Sequence, residues 1–273
     1  RHIMLIDGKT ISDEILGGLK LKPAPTTFFA GIVIGGNAAA ASFQTLKKKV
    51  ADRLGVDYRI CNLDAALGND GLRDEIARVA ADASCGGMIV QTPLPEGIGL
   101  ANIVTVIPLA KDPDVMGEQA LGALYNDRST VLQPAVSALQ EILARTRFSL
   151  GGSKKVAVVG RGAMVGKPIA VWLMKKVSDL YVLGRGSDLA ILKQCDLVIT
   201  GAGVPDLVTS DMLRDGAGLV DFGYSTSGKT GKLVGDFSLN GDLQKLAFYT
   251  PTPGGMGPIL VAKLFENFYT LAG

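Results

Sequence analysis

Histidine is almost missing from this sequence. The single one, His2, stands ahead of Met4, which reads as the natural start with residues 1–3 appended before it. Serine–histidine triads and histidine metal ligands are thereby excluded. Cysteine is scarce as well: Cys61, Cys85 and Cys195 are far apart, odd in number and never in a CxxC pair. This excludes a disulfide framework and a thiolate zinc site, and it suits a reducing cytosol. Each cysteine reads first as a small buried apolar residue. Aromatic residues are few, the net charge is only +2, and Lys47-Lys48-Lys49 is the one basic run. These features give little support to a nucleic-acid partner. No apolar run approaches the roughly 20 residues of a membrane helix, and no secretory signal opens the chain. The expectation is a cytoplasmic protein with neither a membrane nor a metal. Its chemistry must rest on lysine, acidic side chains, tyrosine, amides or a bound cofactor.

Glycine, by contrast, is abundant, at 35 of 273 residues. It clusters after short apolar, β-branched runs at 29–34, 56–60, 87–90, 155–159, 180–183, 197–200 and 219–222. Helical patterns lie between most of them, at 42–54, 70–83, 136–145, 165–177 and 189–194. Such alternation predicts an α/β fold with parallel sheets. Residues 149–153, Ser-Leu-Gly-Gly-Ser, read as a linker before a second sheet that starts at Val156. A last helix is predicted over 258–271, after a Gly/Pro-rich loop at 250–257.

The second sheet opens with Val156-Ala-Val-Val159 and runs into Gly160-Arg161-Gly162-Ala-Met-Val165-Gly166. A buried strand, a glycine turn and a helix start form a dinucleotide site: the turn lets the backbone approach a pyrophosphate, and the helix end offers unpaired N–H groups. The spacing is GxGxxxG rather than GxGxxG, so a tight turn that binds nothing stays open as an alternative. An NAD site usually carries an acid at the end of the next strand to grip the ribose. Here that strand ends Leu183-Gly184-Arg185. Arg185 and Arg161 suit a 2′-phosphate, because a guanidinium gives two parallel charged hydrogen bonds. The cofactor expected is NADP. The strand-end loops with Ala202, Gly203 and Tyr224 are candidate cofactor walls.

In the first sheet, the helix at 42–54 places Phe43, Leu46, Val50 and Leu54 on one face, with Lys47 at its edge. A lysine held against apolar surface has a lowered pKa and can act as a base. The alternative is a lysine whose stem covers apolar surface while its amine reaches water. Val90 and Gln91 end a buried strand, before Thr92-Pro93-Leu94-Pro95. Lys111-Asp112-Pro113-Asp114 is a stiff charged loop.

These motifs, taken in order, carry a resemblance. They are Ile6-Asp-Gly-Lys9, Gly36-Asn37, Ser42-Phe43-x-x-x-Lys47, Gln91-Thr-Pro-Leu-Pro95, Lys111-Asp-Pro-Asp114, the Gly160–Pro168 turn, Gly235-Asp236 and Thr250-Pro-Thr-Pro-Gly-Gly-Met-Gly-Pro258. The chain resembles the bifunctional methylenetetrahydrofolate dehydrogenase/cyclohydrolase family along almost its whole length. The resemblance implies a folate domain of residues 4–137, with 258–273 packing back on it, and a Rossmann-type NADP domain of residues 138–257. It places the active site in the cleft between them and implies a homodimer. The implied reactions are oxidation of 5,10-methylenetetrahydrofolate by NADP and hydrolysis of the methenyl product to 10-formyltetrahydrofolate. Lys47 would be the acid/base of water addition, Gln91 its hydrogen-bond partner, and Asp114 the holder of the pterin. Phe43, Val90 and the loop residues Thr252, Pro253, Gly254 and Gly255 would line the folate. There are departures from the family pattern. The family's tyrosine four residues before the lysine is Phe43. Its glycine after the second Asp is Val115. Its Pro-Cys-Thr-Pro is Pro134-Ala-Val-Ser137, and its His-Ser near the 2′-phosphate is Gly184-Arg185. The alternatives are a monofunctional dehydrogenase, a non-catalytic folate- or NADP-binding paralogue, and a different two-domain NADP enzyme similar to shikimate dehydrogenase, against which the Thr250–Pro258 loop argues.

Overall fold

A computed structural model describes residues 3–36, 38–228 and 231–273, so Asn37 lies outside the described residues. In chain order the elements begin β1 (Met4–Leu5), α1 (Gly8–Lys20), β2 (Phe28–Ile34), α2 (Ala38–Leu54), β3 (Tyr58–Leu63), α3 (Gly68–Ala81) and β4 (Cys85–Val90). Next come α4 (Leu100–Ile103), α5 (Glu118–Tyr125), α6 (Pro134–Arg145), β5 (Lys155–Val159), α7 (Gly166–Leu173), β6 (Asp179–Leu183) and β7 (Leu197–Thr200). The chain closes with β8 (Gly218–Asp221), β9 (Ser225–Thr226), β10 (Leu233–Val234), β11 (Phe248–Tyr249) and α8 (Met256–Ala272). Two compact units share it: Asp13–Pro134 with Val261–Gly273, and the residues up to Ser12 with Ala135–Leu260.

The first unit is built on a parallel three-stranded sheet, β3-β2-β4. Its central strand reads Phe-Phe-Ala-Gly-Ile-Val-Ile and is buried at every residue, as a parallel strand covered on both faces requires. The last turns of α8 complete this core. Phe268 stacks on Phe29 at 4.4 Å between ring centroids, and Phe265 meets the same ring edge-on at 5.5 Å. Both phenylalanines are fully buried, and each contributes about 2–3 kcal/mol by leaving water. Asn267 on the same helix donates to the carbonyls of Pro113 and Leu132, at 2.8 and 2.7 Å. The C-terminal helix thus fastens the loop that carries Asp114.

The second unit holds a six-stranded sheet, β1-β11-β8-β7-β5-β6, whose neighbouring strands are all parallel. Its first strand comes from the chain's start: Met4 pairs with Phe248 and Leu5 with Tyr249. The expected folate domain of residues 4–137 would take in this strand, which shows no periodicity in its two residues, yet residues up to Ser12 lie in the second unit. The turn at 149–153 lies inside this unit, where Phe148 meets Phe248 edge-on at 6.0 Å. Residues 189–194 form a 3₁₀ segment rather than an α-helix, capped by Asp188 on the Ala190 N–H, as short connecting helices often are. α1 and α5 were not anticipated. In α1 the Asp7 carboxylate caps the Lys9 and Thr10 N–H groups, each at 3.1 Å, which satisfies donors a helix start leaves unpaired.

Candidate active site

In the first unit the structure brings Phe43, Lys47 and Gln91 together. α2 carries Phe43 and Lys47 one turn apart, and the Lys47 amine lies 6.0 Å from the centre of the Phe43 ring. Gln91 follows β4, anchored by its N–H to the Ile32 carbonyl at 2.8 Å. Lys47 Nζ donates to Gln91 Oε1 at 2.7 Å. Burial lowers the Lys47 pKa, and the charge of Asp114 opposes that shift. Val90, one residue before Gln91, is buried in the core, only 6% exposed.

Asp114 ends a loop whose other charged members have structural work. Lys111 donates to the carbonyls of Ala80 and Asp82, at 2.8 and 2.9 Å. These carbonyls close α3, where a helix leaves acceptors unpaired. Asp112 is buried and accepts from the Met116 and Gly117 N–H groups, at 3.0 and 2.7 Å. Asp114 has no such backbone cradle among the contacts seen. Burial pushes its carboxyl up to about 6, Lys47 pulls it down, and Asp112 pushes it further up. A lysine whose pKa burial lowers and a carboxyl that burial raises to about 6 thus act on one another, and such perturbed groups are a mark of acid–base sites. The next residue, Val115, has φ of +54°, the left-handed conformation that glycine adopts without strain and a β-branched residue rarely does.

The second unit contains the glycine turn. Gly160 has φ of +117°, and a side chain there would overlap the carbonyl of Gly201. Gly166 opens α7, pressed against the carbonyl of Gly160. A side chain on Gly162 would meet nothing within 4 Å. Val165 packs against Gly201. The turn is therefore close-packed beneath and open above, as a phosphate cradle must be. Arg161 leans over the end of β6, its guanidinium 3.4 Å from the Val182 carbonyl. A side chain at Gly184 would overlap that guanidinium. Where a ribose-gripping acid would stand there is glycine with an arginine beside it, and the exposed Arg185 follows. Tyr224, just after β8, is exposed.

The loop of Ala202 and Gly203, a candidate cofactor wall, is anchored through its backbone. Their N–H groups donate to Asp236, at 2.5 and 3.3 Å, and the Val204 N–H joins them at 2.8 Å. These amides serve the protein. Asp236 itself is fully buried, above Asp221, which accepts from Thr200 Oγ1 at 2.7 Å and from the Phe237 N–H at 3.0 Å. A side chain at Gly235 would overlap the Asp221 carboxylate, so the Gly235-Asp236 pair combines close approach with loop anchoring. Thr252, Pro253, Gly254 and Gly255 belong to this second unit as well. Thr252 donates to the Gly223 carbonyl at 3.2 Å, and Gly254 accepts from the Gly8 N–H at 2.9 Å. Among the described residues no group of three or more His, Cys, Asp or Glu side chains is placed to hold a metal ion.

A desolvated lysine bonded to an amide in one α/β unit, and a glycine turn with an arginine beside it in the other, fit one class: a two-domain nucleotide-dependent enzyme. Residues 6–114 match the tetrahydrofolate dehydrogenase/cyclohydrolase catalytic domain, and residues 134–273 match the NAD(P)-binding domain of the same family. The chain belongs to the tetrahydrofolate dehydrogenase/cyclohydrolase family. It is 31% identical to the bifunctional protein FolD of Staphylococcus aureus, over 96% of this chain and 94% of that one. Its fold is similar to the bifunctional FolD methylenetetrahydrofolate dehydrogenase/cyclohydrolase of Campylobacter jejuni, with a TM-score of 0.92, 29% identity and coverage of 99% and 98% of the two chains. It is also similar to the Trypanosoma brucei FolD solved with NADP cofactor and inhibitor, with a TM-score of 0.89, 26% identity and coverage of 99% and 97%.

Proposed function

We propose that this protein oxidises 5,10-methylenetetrahydrofolate with NADP and hydrolyses the methenyl product to 10-formyltetrahydrofolate. The observation that carries the reading is Lys47, desolvated and held 2.7 Å from Gln91. When bound, NADP supplies the hydride acceptor for the first step. Gly160, Gly162 and Gly166 would cradle its pyrophosphate, and Arg161 with Arg185 would take the 2′-phosphate. That step needs orientation more than acid–base help.

The second step needs a base. Lys47 takes a proton from water as the oxygen bonds to the methenyl carbon. It returns a proton to N5 as the carbon–N5 bond breaks, and one proton is released to solvent overall. Gln91 holds the amine in place, and Asp114 accepts from paired N–H groups of the pterin. Phe43 offers a ring face and no hydroxyl. The unit of residues 13–134 and 261–273 is the folate-binding part in this reading, and the unit containing 135–260 is the NADP-binding part. A cytoplasmic homodimer belongs to the same reading, and light scattering on the purified protein tests the dimer.

The test of function is a coupled assay. Methylenetetrahydrofolate and NADP are supplied, NADPH and methenyl absorbance are followed, and then the methenyl decay. NADPH formation with accelerated decay is expected, and Lys47→Met should remove the acceleration. Decay as fast in that variant as in the parent would overturn the role given to Lys47.

A further inference from the structure

Beneath Lys47 lies a buried chain of hydrogen bonds that the reaction just described does not call for. Gln91 Oε1 accepts not only from Lys47 but also from Gln44 Nε2, at 2.9 Å. Gln44 Oε1 in turn accepts from the Tyr58 hydroxyl, at 2.6 Å. Gln44 and Tyr58 are almost wholly buried. The order of donors is fixed at the far end. Gln91 Nε2 donates to the Thr92 carbonyl at 2.6 Å, and a backbone carbonyl can only accept. Gln91 must therefore point its own oxygen toward Lys47 and Gln44. Gln44 must then present its NH₂ to Gln91 and its oxygen to Tyr58. Burial raises the Tyr58 pKa, so the phenol keeps its proton and donates. Each amide has one allowed orientation.

Room for this chain is made by a third residue. A side chain on Gly31, in the middle of β2, would overlap both the Tyr58 hydroxyl and Gln44 Oε1. The aromatic ring of Tyr58 is braced edge-on against Phe29 at 5.3 Å. Three elements, β2, α2 and β3, thus converge on one amide whose contact with the reacting region is Lys47.

We infer that Gln44 and Tyr58 are positioning residues that lock the acceptor face of Gln91 onto Lys47 and bias the lysine toward its neutral amine. This deepens the function proposed above and rests on Lys47 being its base. The reasoning is electrostatic. Gln44 occupies one lone pair of Gln91 Oε1 and aims the positive end of its amide toward the lysine. Both effects leave less acceptor for an ammonium and so favour the neutral amine. A neutral amine that donates one N–H to Gln91 keeps its lone pair for water. Other groups bear on the same amine. Asp114 faces it from the loop after α4, with Asp112 behind, and it favours the ammonium. Phe43 faces it from α2. Tyr58 and Cys61 lie behind on β3 and are neutral, both thiol and phenol being pushed up by burial.

The test uses Gln44→Leu and Tyr58→Phe in the whole protein. Lysine carrying carbon-13 at its ε position is incorporated, the Lys47 signal is assigned by its loss in Lys47→Met, and its titration is followed by NMR. Gln44→Leu should raise the Lys47 midpoint by about one unit, and Tyr58→Phe by less. Methenyl hydrolysis should fall about tenfold in kcat at pH 7 in Gln44→Leu, with its pH profile moved to alkali, while KM changes less than about twofold. Circular dichroism confirms the fold of each variant, and Tyr58→Phe removes a single oxygen. A Lys47 midpoint unmoved or lowered in both folded variants would overturn the inference. The NMR titration needs no turnover. A raised midpoint in a protein without hydrolase activity would sink the proposed function and leave the inference standing.

Discussion

Asp236 offers the most exacting check on the nucleotide side. Its two oxygens accept three consecutive backbone N–H groups, from Ala202 at 2.5 Å, Gly203 at 3.3 Å and Val204 at 2.8 Å. Replacing it with asparagine keeps the shape and turns one oxygen into a donor. Whichever way the amide faces, at least one N–H then meets another donor. The remaining bonds lose their charge assistance. Charged hydrogen bonds are worth about 1.5–3 kcal/mol and neutral ones about 0.5–1.5. One bond lost and at least one weakened amounts to about 2–4 kcal/mol. Ala202, Gly203 and Val204 are exposed, so water can recover part of this, and a neutral amide avoids the burial cost that raises the Asp236 pKa, so the lower end, about 2 kcal/mol, is expected. For a protein of this size about 2 kcal/mol lowers the melting temperature by roughly 4–8 °C.

The same substitution should loosen the loop after β7, which stands at a strand end where nucleotides bind. If about 1.4 kcal/mol of the loss reappears as the cost of ordering that loop around NADP, the dissociation constant rises about tenfold. Calorimetric titration with NADP, beside a thermal melt, reads both quantities. Binding of folate in the absence of nucleotide should be unchanged. A variant that melts lower yet binds NADP as tightly as the parent would show that the loop is anchored for stability alone. An unchanged melting temperature would refute the energetic reasoning itself.

Three further outcomes follow from the geometry. Acidic residues at both 161 and 185 should raise the KM for NADP far more than the KM for NAD, since Arg161 lies over the end of β6; equal effects in steady-state kinetics would remove the 2′-phosphate from the argument. Val115→Gly relieves a left-handed valine worth about 1–2 kcal/mol but uncovers a side chain only 1% exposed, worth about 1.5–3 kcal/mol. A net loss of about 1 kcal/mol is expected in chemical denaturation, and a gain would mean that strain dominates. The third concerns pH. The folded Asp114 carboxyl is raised to about 6 from an ordinary 3.8, so the folded state holds that proton more tightly than the unfolded one. Its contribution to stability is present below about pH 4 and is lost as the pH rises through about 6. Asp114→Asn should therefore melt above the parent at pH 8, by up to about 3 kcal/mol, and the gap should close toward pH 4. A gap that widens on acidification would contradict the direction of the shift.

The parts of this molecule that were legible from sequence are those in which one segment carries its own signal. β5 and β7 fall at the predicted residues, because a continuous β-branched run followed by glycine leaves few other structures. The glycine turn was legible for the same reason, down to Gly160 and Gly166. Lys47 was legible by its place one turn after Phe43, but the apolar face drawn for its helix was not borne out, since Leu46 is 44% exposed and the buried residue there is Gln44; its partner Gln91 came from the resemblance. Partnerships with no local signature were hidden. β1 joins a strand more than 240 residues away through two residue pairs, which no pattern in Met4-Leu5 announces. Ala202 and Gly203 read as a candidate cofactor wall, and only the fold shows that their amides bond Asp236.

The departures at Phe43 and Val115 show what a residue-by-residue comparison leaves out. At 115 a valine takes the left-handed conformation suited to glycine and is buried with Ala120 and Leu124. At 43 a phenol is absent beside the lysine, yet a phenol is present two contacts away, where Tyr58 reaches Gln91 through Gln44. Neither Gln44 nor Tyr58 carries a motif, and Gly31 reads only as a weak point in a strand. The three acquire meaning together, since the glycine is needed for the tyrosine to fit and the tyrosine for the glutamine to be satisfied. A polar residue buried without such a partner would cost about 1–3 kcal/mol. Reverting position 43 alone would therefore leave the amide chain intact beneath the lysine. The Lys47 amine is set from below by Gln91, Gln44 and Tyr58 as much as by Phe43 on its own helix, and the charge of Asp114 bears on its pH behaviour as well.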